Sequence, residues 1–308
     1  MAADRPSSLQ LSAERLAARL PPLMVAAQRV AETVAQGWHG RRRVGPGESF
    51  WQFRPYMWGD RPQAIDWRTS AKGDTVYVRE MEWEAAATVY LWRDRSASMT
   101  WHSRRDLPTK RERADLILLA LTTLLLRGGE RVALLAPGER PRLGRSALPL
   151  LAERIAREAE EAPAASDALP AGMLLPRHAR VALIGDFLTP LPELEAKLRQ
   201  LARNGLHGQL VLLLDPAEVA LPYRGRVRFE GLEGETSWLA PRAENLHEAY
   251  GQKLREHVNG LGDIARALGW RLQQHLTDQS AVAALLDLHV ALAADRHEFS
   301  RGLGTVGA

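Results

Sequence analysis

The sequence predicts an α/β fold built on a doubly wound, mostly parallel sheet. From residue 86 onward, short apolar runs alternate with longer amphipathic stretches, as buried parallel strands alternate with the helices that cover them. The chain has 308 residues, of which 45% are hydrophobic and 25% charged. That size and balance are typical of a globular protein with one large domain or two modest ones.

The alternation starts with an apolar run at 86–94 that ends in a carboxylate. The helix expected next, at 110–129, has a charged first turn, an apolar body and a glycine stop. Further strands are expected at 131–137, 180–186, 208–215 and 270–275, and further helices at 149–161, 192–205, 244–269 and 280–294. The segment 225–238 interrupts the pattern as a small hairpin or an irregular excursion. Residues 86–295 therefore form the expected α/β domain, and residues 296–308 a flexible tail.

The region before this domain has a different composition. A helix-like segment near 11–36 makes residues 1–37 an N-terminal helical segment, and seven of the nine tryptophans lie between 38 and 101. Residues 38–85 are too rich in turn formers for long helices, so we expect short strands and turns. So many large aromatic rings must be buried away from water, and we therefore expect this Trp/Arg-rich segment to pack on the sheet.

Composition excludes several classes of protein. Without cysteine there is no disulfide framework and no thiolate metal site, which suits a reducing compartment, and we expect a cytoplasmic protein. The longest apolar run, 116–126, is shorter than the ~20 residues that cross a bilayer, so we expect no membrane span. Nearly all positive charge is arginine, but the net charge is only +4, and we expect no nucleic-acid partner.

Polar side chains follow two of the predicted strands. Asp94, Ser96 and Ser98 form a D-x-S-x-S motif after the first strand, where alternate residues of an extended loop point to one side. Asp186 ends the 180–186 strand, and Ser166 lies in the loop before that strand. Ligands of such sheets bind outside the carboxyl ends of the strands, and hard oxygen donors suit Mg²⁺ or Mn²⁺. These five residues are the predicted metal site.

This arrangement resembles the metal-ion-dependent adhesion site of von Willebrand factor type A domains. Asp94, Ser96, Ser98 and Asp186 match that pattern residue by residue, and Ser166 stands where the pattern has a threonine. Arg95 places a permanent cation beside the site, and is the first candidate to have replaced the ion.

The Trp-rich region resembles a second pattern, that of the bacterial domain of unknown function family 58. The resemblance spans roughly residues 30–290. Its motif is R-x-Y-x-x-G-D-x-x-x-x-I-D-W-R-x-S-A at 54–71, followed by YVRE at 77–80, D-x-S-x-S-M at 94–99, LLLDPAEVALP at 212–222 and GET at 234–236. It implies a von Willebrand A-like sheet, no established catalysis, and frequent pairing with MoxR-type AAA+ ATPases.

The charged residues of this motif have two interpretations. Arg54, Asp60, Asp66 and Arg68 could form an acid/base pair or a second metal site, but such residues more often hold a turn through ion pairs and Asx turns, which we favour. The sequence contains no H-E-x-x-H, no G-x-x-x-x-G-K-[ST] and no G-x-S-x-G, which disfavours a zinc hydrolase, an ATPase and a serine hydrolase.

The function favoured by these observations is a metal-assisted protein-interaction module rather than an enzyme. A partner's Asp or Glu would complete the coordination of the ion, and the expected partner is a MoxR-type AAA+ ATPase or its client in assembly or maturation of a complex. The alternative is a Mg²⁺-dependent phosphohydrolase or nuclease using Asp94 and Asp186. Ser96 stands where a phosphatase D-x-D loop has its second carboxylate. A third possibility is single-strand nucleic-acid binding by the Arg/Trp region.

Overall fold

The computed structural model describes residues 22–35, 49–58, 60, 62–82, 87–161, 168–170, 173, 175–177, 179–203, 205–232 and 236–303. The chain divides into two compact units, one formed by residues 39–86 and the other by residues 1–38 together with 87–308.

The strands are β1 (Ser49–Pro55), β2 (Tyr77–Glu82), β3 (Thr88–Arg93), β4 (Arg131–Leu134), β5 (Arg180–Gly185), β6 (His207–Leu214), β7 (Val227–Phe229), β8 (Trp238–Ala240) and β9 (Arg271–Leu276). The helices are α1 (22–35), α2 (Trp67–Ser70), α3 (Lys110–Arg127), α4 (Ala147–Glu160), α5 (Leu191–Ala202), α6 (Pro216–Ala220), α7 (His247–Ala267) and α8 (Ala281–Leu303).

The larger unit contains a five-stranded sheet in the order β4-β3-β5-β6-β9, with every neighbouring pair parallel. The chain moves from β3 to β4 on one side, then crosses to β5 on the other side of β3. This is the doubly wound arrangement that the sequence predicts, and its strand order reverses between β3 and β5.

Helices cover both faces of this sheet. Alternate strand residues point to opposite faces, so Val89 and Leu91 join the core formed with α1, α3, α4 and α8. Tyr90 and Trp92 join the other core, formed with α5 and α7. Burial on both faces explains why these strands are continuous apolar runs rather than alternating ones.

Two segments differ from the sequence-based expectation or refine it. The excursion expected at 225–238 is a short antiparallel hairpin of β7 and β8. Helix α8 runs to Leu303 and so includes most of the segment expected to be a flexible tail, because residues 296–301 contain no proline or glycine to end it. Within the described residues, no helix has the length and apolar character needed to span a membrane.

The smaller unit is built on an antiparallel pair of β1 with β2, as the predicted short strands require. Arg54 binds Asp60 with two hydrogen bonds of 2.7 Å, and the Asp60 carboxylate also accepts from the Met57 N–H at 2.8 Å. The Arg54 hydrogen bond lowers the pKa of Asp60 to about 2. Asp66 caps α2 by accepting from the Thr69 N–H. These contacts confirm the ion-pair and turn interpretation of Arg54, Asp60 and Asp66.

Candidate functional site

The two predicted aspartates lie at the carboxyl ends of neighbouring strands. Asp94 follows β3 and Asp186 follows β5, and the Asp94 N–H donates to the Ile184 carbonyl at 2.8 Å. Strand order reverses between these two strands, which is where open α/β sheets leave a crevice for ligands. The sheet topology thus brings together two carboxylates separated by 92 positions in the chain.

The serines after β3 lie in a tight turn. The sequence predicts an extended loop here, but residues Ala97–Thr100 form a single 3-10 turn. The Asp94 carboxylate accepts from the Ser96 N–H at 2.7 Å, which folds the chain back on itself. The hydroxyl groups of Ser96 and Ser98 still converge, with 2.9 Å between their oxygens. The turn, rather than strand-like alternation, positions these hydroxyls.

Four of the five predicted site residues form one connected cluster. The Ser98 hydroxyl donates to Asp186 Oδ2 at 2.6 Å and so joins the two strand ends. Asp94, Ser96 and Asp186 are buried, whereas Ser98 is partly exposed and opens the cluster toward solvent. The fifth residue, Ser166, lies outside the described residues.

A buried lysine that the sequence interpretation missed completes the cluster. Lys110, the first residue of α3, is fully buried, and its ammonium donates to Asp186 Oδ2 at 2.8 Å and to Glu218 Oε1 at 2.5 Å. Burial alone would lower the pKa of Lys110, but the two carboxylates raise it above its ordinary value. One signal was present in the sequence, because Lys110 is one of only four lysines in an arginine-rich chain.

Glu218 links this cluster to the end of a third strand. Asp215 follows β6 and caps α6, while Glu218 accepts from the Asp215 N–H at 2.7 Å in a reciprocal capping box. Asp215 also accepts from the Ser103 N–H at 3.0 Å. Burial raises the pKa of the Glu218 carboxyl, against the opposing effect of Lys110. The carboxyl ends of β3, β5 and β6 are therefore tied together by hydrogen bonds.

The cation in contact with Asp186 is Lys110. The guanidinium of Arg95, the residue expected to stand in for an ion, pairs with Glu161 at 3.0 Å and with Glu158 at 3.8 Å. The fixed positive charge at Asp186 therefore comes from Lys110.

Backbone geometry on both sides of Asp186 supports its position. A Cβ atom at Gly185 would lie 2.9 Å from the Asp94 Cβ, so the glycine lets the two strand ends approach. Phe187 has φ 46°, a left-handed conformation that is rare for a bulky residue, although it is fully buried. Its carbonyl lies 2.7 Å from His257 Nε2. Strain of this kind is common beside functional residues.

The donor atoms suit a hard cation. Carboxylate and hydroxyl oxygens from Asp94, Ser96 and Ser98 are the ligands that Mg²⁺ and Mn²⁺ prefer. Across the part of the chain that the structure describes, no group of three or more His, Cys, Asp or Glu side chains is arranged to hold a metal ion. An ion here would therefore depend on the serine hydroxyls as well as the carboxylates.

Comparison with known families and proteins gives a clear match at the level of sequence. A model of the family "Protein of unknown function DUF58" matches residues 52–260. Uncharacterized proteins of Mycobacterium bovis and of Mycobacterium tuberculosis are 30% identical over 287 residues, which is 88% of this chain and 88% of each relative.

Comparison with solved structures gives weaker likenesses. The conserved hypothetical protein BatB from Bacteroides thetaiotaomicron is 15% identical, covering 68% of this chain and 98% of that chain at a TM-score of 0.37. An aerotolerance-related membrane protein from Bacteroides fragilis is 14% identical, covering 69% of this chain and 100% of that chain at a TM-score of 0.36. At these scores the likeness carries no conclusion about this chain.

Proposed function

We propose that this chain, which belongs to the DUF58 family of proteins of unknown function, is a metal-assisted protein-interaction module. One observation carries the proposal: Asp94, Ser96, Ser98 and Asp186 meet at the reversal point of the sheet, linked by contacts of 2.9 Å and 2.6 Å. Two carboxylates and two hydroxyls at the crevice of an open sheet match the donor set of an adhesion-type ion site.

Each residue has a role in this proposal. Asp94, Ser96 and Ser98 would hold Mg²⁺ or Mn²⁺, with Asp186 near the ion and Ser166 as a further hydroxyl donor. A bound ion supplies a positive charge that attracts a carboxylate of the partner. Lys110 neutralises much of the charge of Asp186, because it lies 2.8 Å away in a buried environment. The ion would then retain more of its positive charge for the partner's Asp or Glu.

The partner we propose is a MoxR-type AAA+ ATPase or the client of that ATPase, in the assembly or maturation of a client complex in the cytoplasm. This part of the proposal rests on the family resemblance. In this proposal the Trp-rich segment 38–85 and a von Willebrand A-like domain at 86–295 would act as one functional unit.

A pull-down tests the proposal. Tagged full-length protein is incubated with cytoplasmic extract in Mg²⁺ and in EDTA, and bound proteins are identified by mass spectrometry. We expect the ATPase or its client in Mg²⁺ only, and loss of binding in Asp94→Ala and Ser96→Ala. The matched control is Asp263→Ala, because Asp263 lies on α7 with a side chain that is 71% exposed.

Two results would contradict the proposal. Recovery of the same partners by wild type and Asp94→Ala, with or without metal, would remove the adhesion-site mechanism. Cleavage of phosphate esters by purified protein in Mg²⁺, lost in Asp94→Ala, would favour the phosphohydrolase or nuclease instead. Thermal melting of each variant shows whether lost binding reflects lost folding.

A further inference from the structure

A cavity of about 1120 Å³ adjoins the candidate site in the larger unit. Ser98 and Asp186 line both the cavity and the site. The cavity lies where β3, β4 and β5 end, and Trp92 and Leu135 contribute to its lining from those strand ends. Its volume is slightly above the 300–1,000 Å³ that small-molecule pockets commonly span, so it has room for a short peptide segment. The cavity and the site therefore form one continuous crevice.

The rim of this cavity leaves two large apolar side chains in solvent. Leu188 is 46% exposed and Leu232 is 48% exposed, and both line the cavity. Leu188 follows Phe187, which has a left-handed backbone and a fully buried side chain. Exposed apolar groups around a concave surface are typical of places where a partner binds.

Charge distinguishes the two ends of the crevice. Outside the site, the charged side chains that line the cavity balance in sign and give no net attraction to an anion. They are Arg93, Arg95 and Lys197, and Glu158, Glu193 and Glu230. The end at Ser98 and Asp186 would be positive when an ion is bound. A carboxylate is therefore favoured at the site end and an apolar side chain at the cavity end.

We propose that this crevice binds an extended segment of a protein partner in which an apolar side chain lies two positions from an Asp or Glu. The carboxylate would approach the ion, and the apolar side chain would enter the cavity against Leu188 and Leu232. Residues two apart in an extended peptide project from the same side, about 7 Å apart. That spacing suits the crevice because Leu188 lies next to the site, with its N–H donating to Asp186 Oδ1 at 3.4 Å. This inference rests on the proposed function and adds an apolar subsite to it.

Labelled peptides test the subsite with the full-length protein. Fluorescein-labelled octapeptides of glycine and serine carry a central Glu-Gly-Leu or Leu-Gly-Glu, and the controls carry Glu-Gly-Ser and Gln-Gly-Leu. Fluorescence anisotropy in Mg²⁺ gives their dissociation constants. We expect one of the Glu/Leu peptides to bind about tenfold more tightly than Glu-Gly-Ser, because burial of part of one leucine supplies that difference.

Variants of the rim locate the effect. Leu188→Ser and Leu232→Ser should abolish the preference for leucine over serine while leaving the fold intact, since both side chains are half exposed. The control is Leu143→Ser, because Leu143 is 53% exposed and does not line the cavity.

The outcomes separate the subsite from the proposed function. Equal affinity for all four peptides, or a leucine preference that survives both rim variants, overturns the subsite. Glutamate binding that needs Mg²⁺ but ignores leucine overturns the subsite and leaves the proposed function standing. A leucine preference that depends on Leu188 and Leu232 but not on glutamate or Mg²⁺ overturns the proposed function and, with it, the paired Glu/Leu recognition inferred here.

Discussion

Replacing Lys110 by methionine removes the cation between two buried carboxylates while keeping a long side chain in the same space. The Lys110 side chain has no exposed surface, and it lies 2.8 Å from Asp186 and 2.5 Å from Glu218, whose side chains are 4% and 17% exposed. Removing one partner of a buried ion pair leaves uncompensated charge and costs about 3–5 kcal/mol. We therefore expect Lys110→Met to lower the free energy of unfolding by that amount.

Urea unfolding followed by circular dichroism measures this loss. The control is Arg199→Met, which breaks the exposed i,i+4 pair with Glu195 on α5 and should cost about 0.5 kcal/mol or less. Adding Glu218→Gln to Lys110→Met should recover part of the loss, because one buried charge is then gone. The reasoning is refuted if Lys110→Met costs no more than Arg199→Met, or if Glu218→Gln only adds to the loss.

Four further predictions concern the site and its surroundings. Millimolar Mg²⁺ or Mn²⁺ should give binding heat and raise the melting temperature of wild type but not of Asp94→Ala; absence of both effects in wild type would mean that the site holds no ion. Gly185→Ala should reduce the binding heat and the melting shift caused by the metal, because the new alanine Cβ would lie 2.9 Å from the Asp94 Cβ and displace that carboxylate. A metal titration identical to that of wild type would count against this. Burial, with a contribution from Arg113, lowers the pKa of His275 from 6.5 to about 4. As pH drops below 6.5, the imidazole of His275 is protonated in the unfolded chain before it is protonated in the folded one. The free energy of unfolding should therefore fall, by about 2 kcal/mol at pH 5, in wild type but not in His275→Gln. Urea unfolding that shows the same pH dependence in both proteins would contradict this. Limited proteolysis should leave residues 38–83 attached to the sheet domain, whereas a stable fragment starting near residue 85 would show two independent domains.

The sequence alone determined the fold class and which residues stand at strand ends, because both follow from the order of apolar and polar segments along the chain. Alternating apolar and amphipathic segments specify strands and helices. A continuous apolar run indicates a strand that is buried on both faces, as in a parallel sheet. Asp94 and Asp186 were identified from their positions at strand ends, since parallel strands end at one edge. Arg54 and Asp60 were correctly interpreted as an ion pair, because they are close in the chain and surrounded by turn formers.

Only the tertiary structure decided which cation meets Asp186 and which surface adjoins it. Lys110 lies 76 positions from Asp186 and 108 from Glu218, and the three residues meet because β5 and β6 are neighbours and α3 begins at their carboxyl ends. In the sequence, Lys110 stands in a charged first turn that resembles an exposed one. A buried charge needs a partner at close range, but the identity of that partner is set by strand order and packing, which local pattern does not encode.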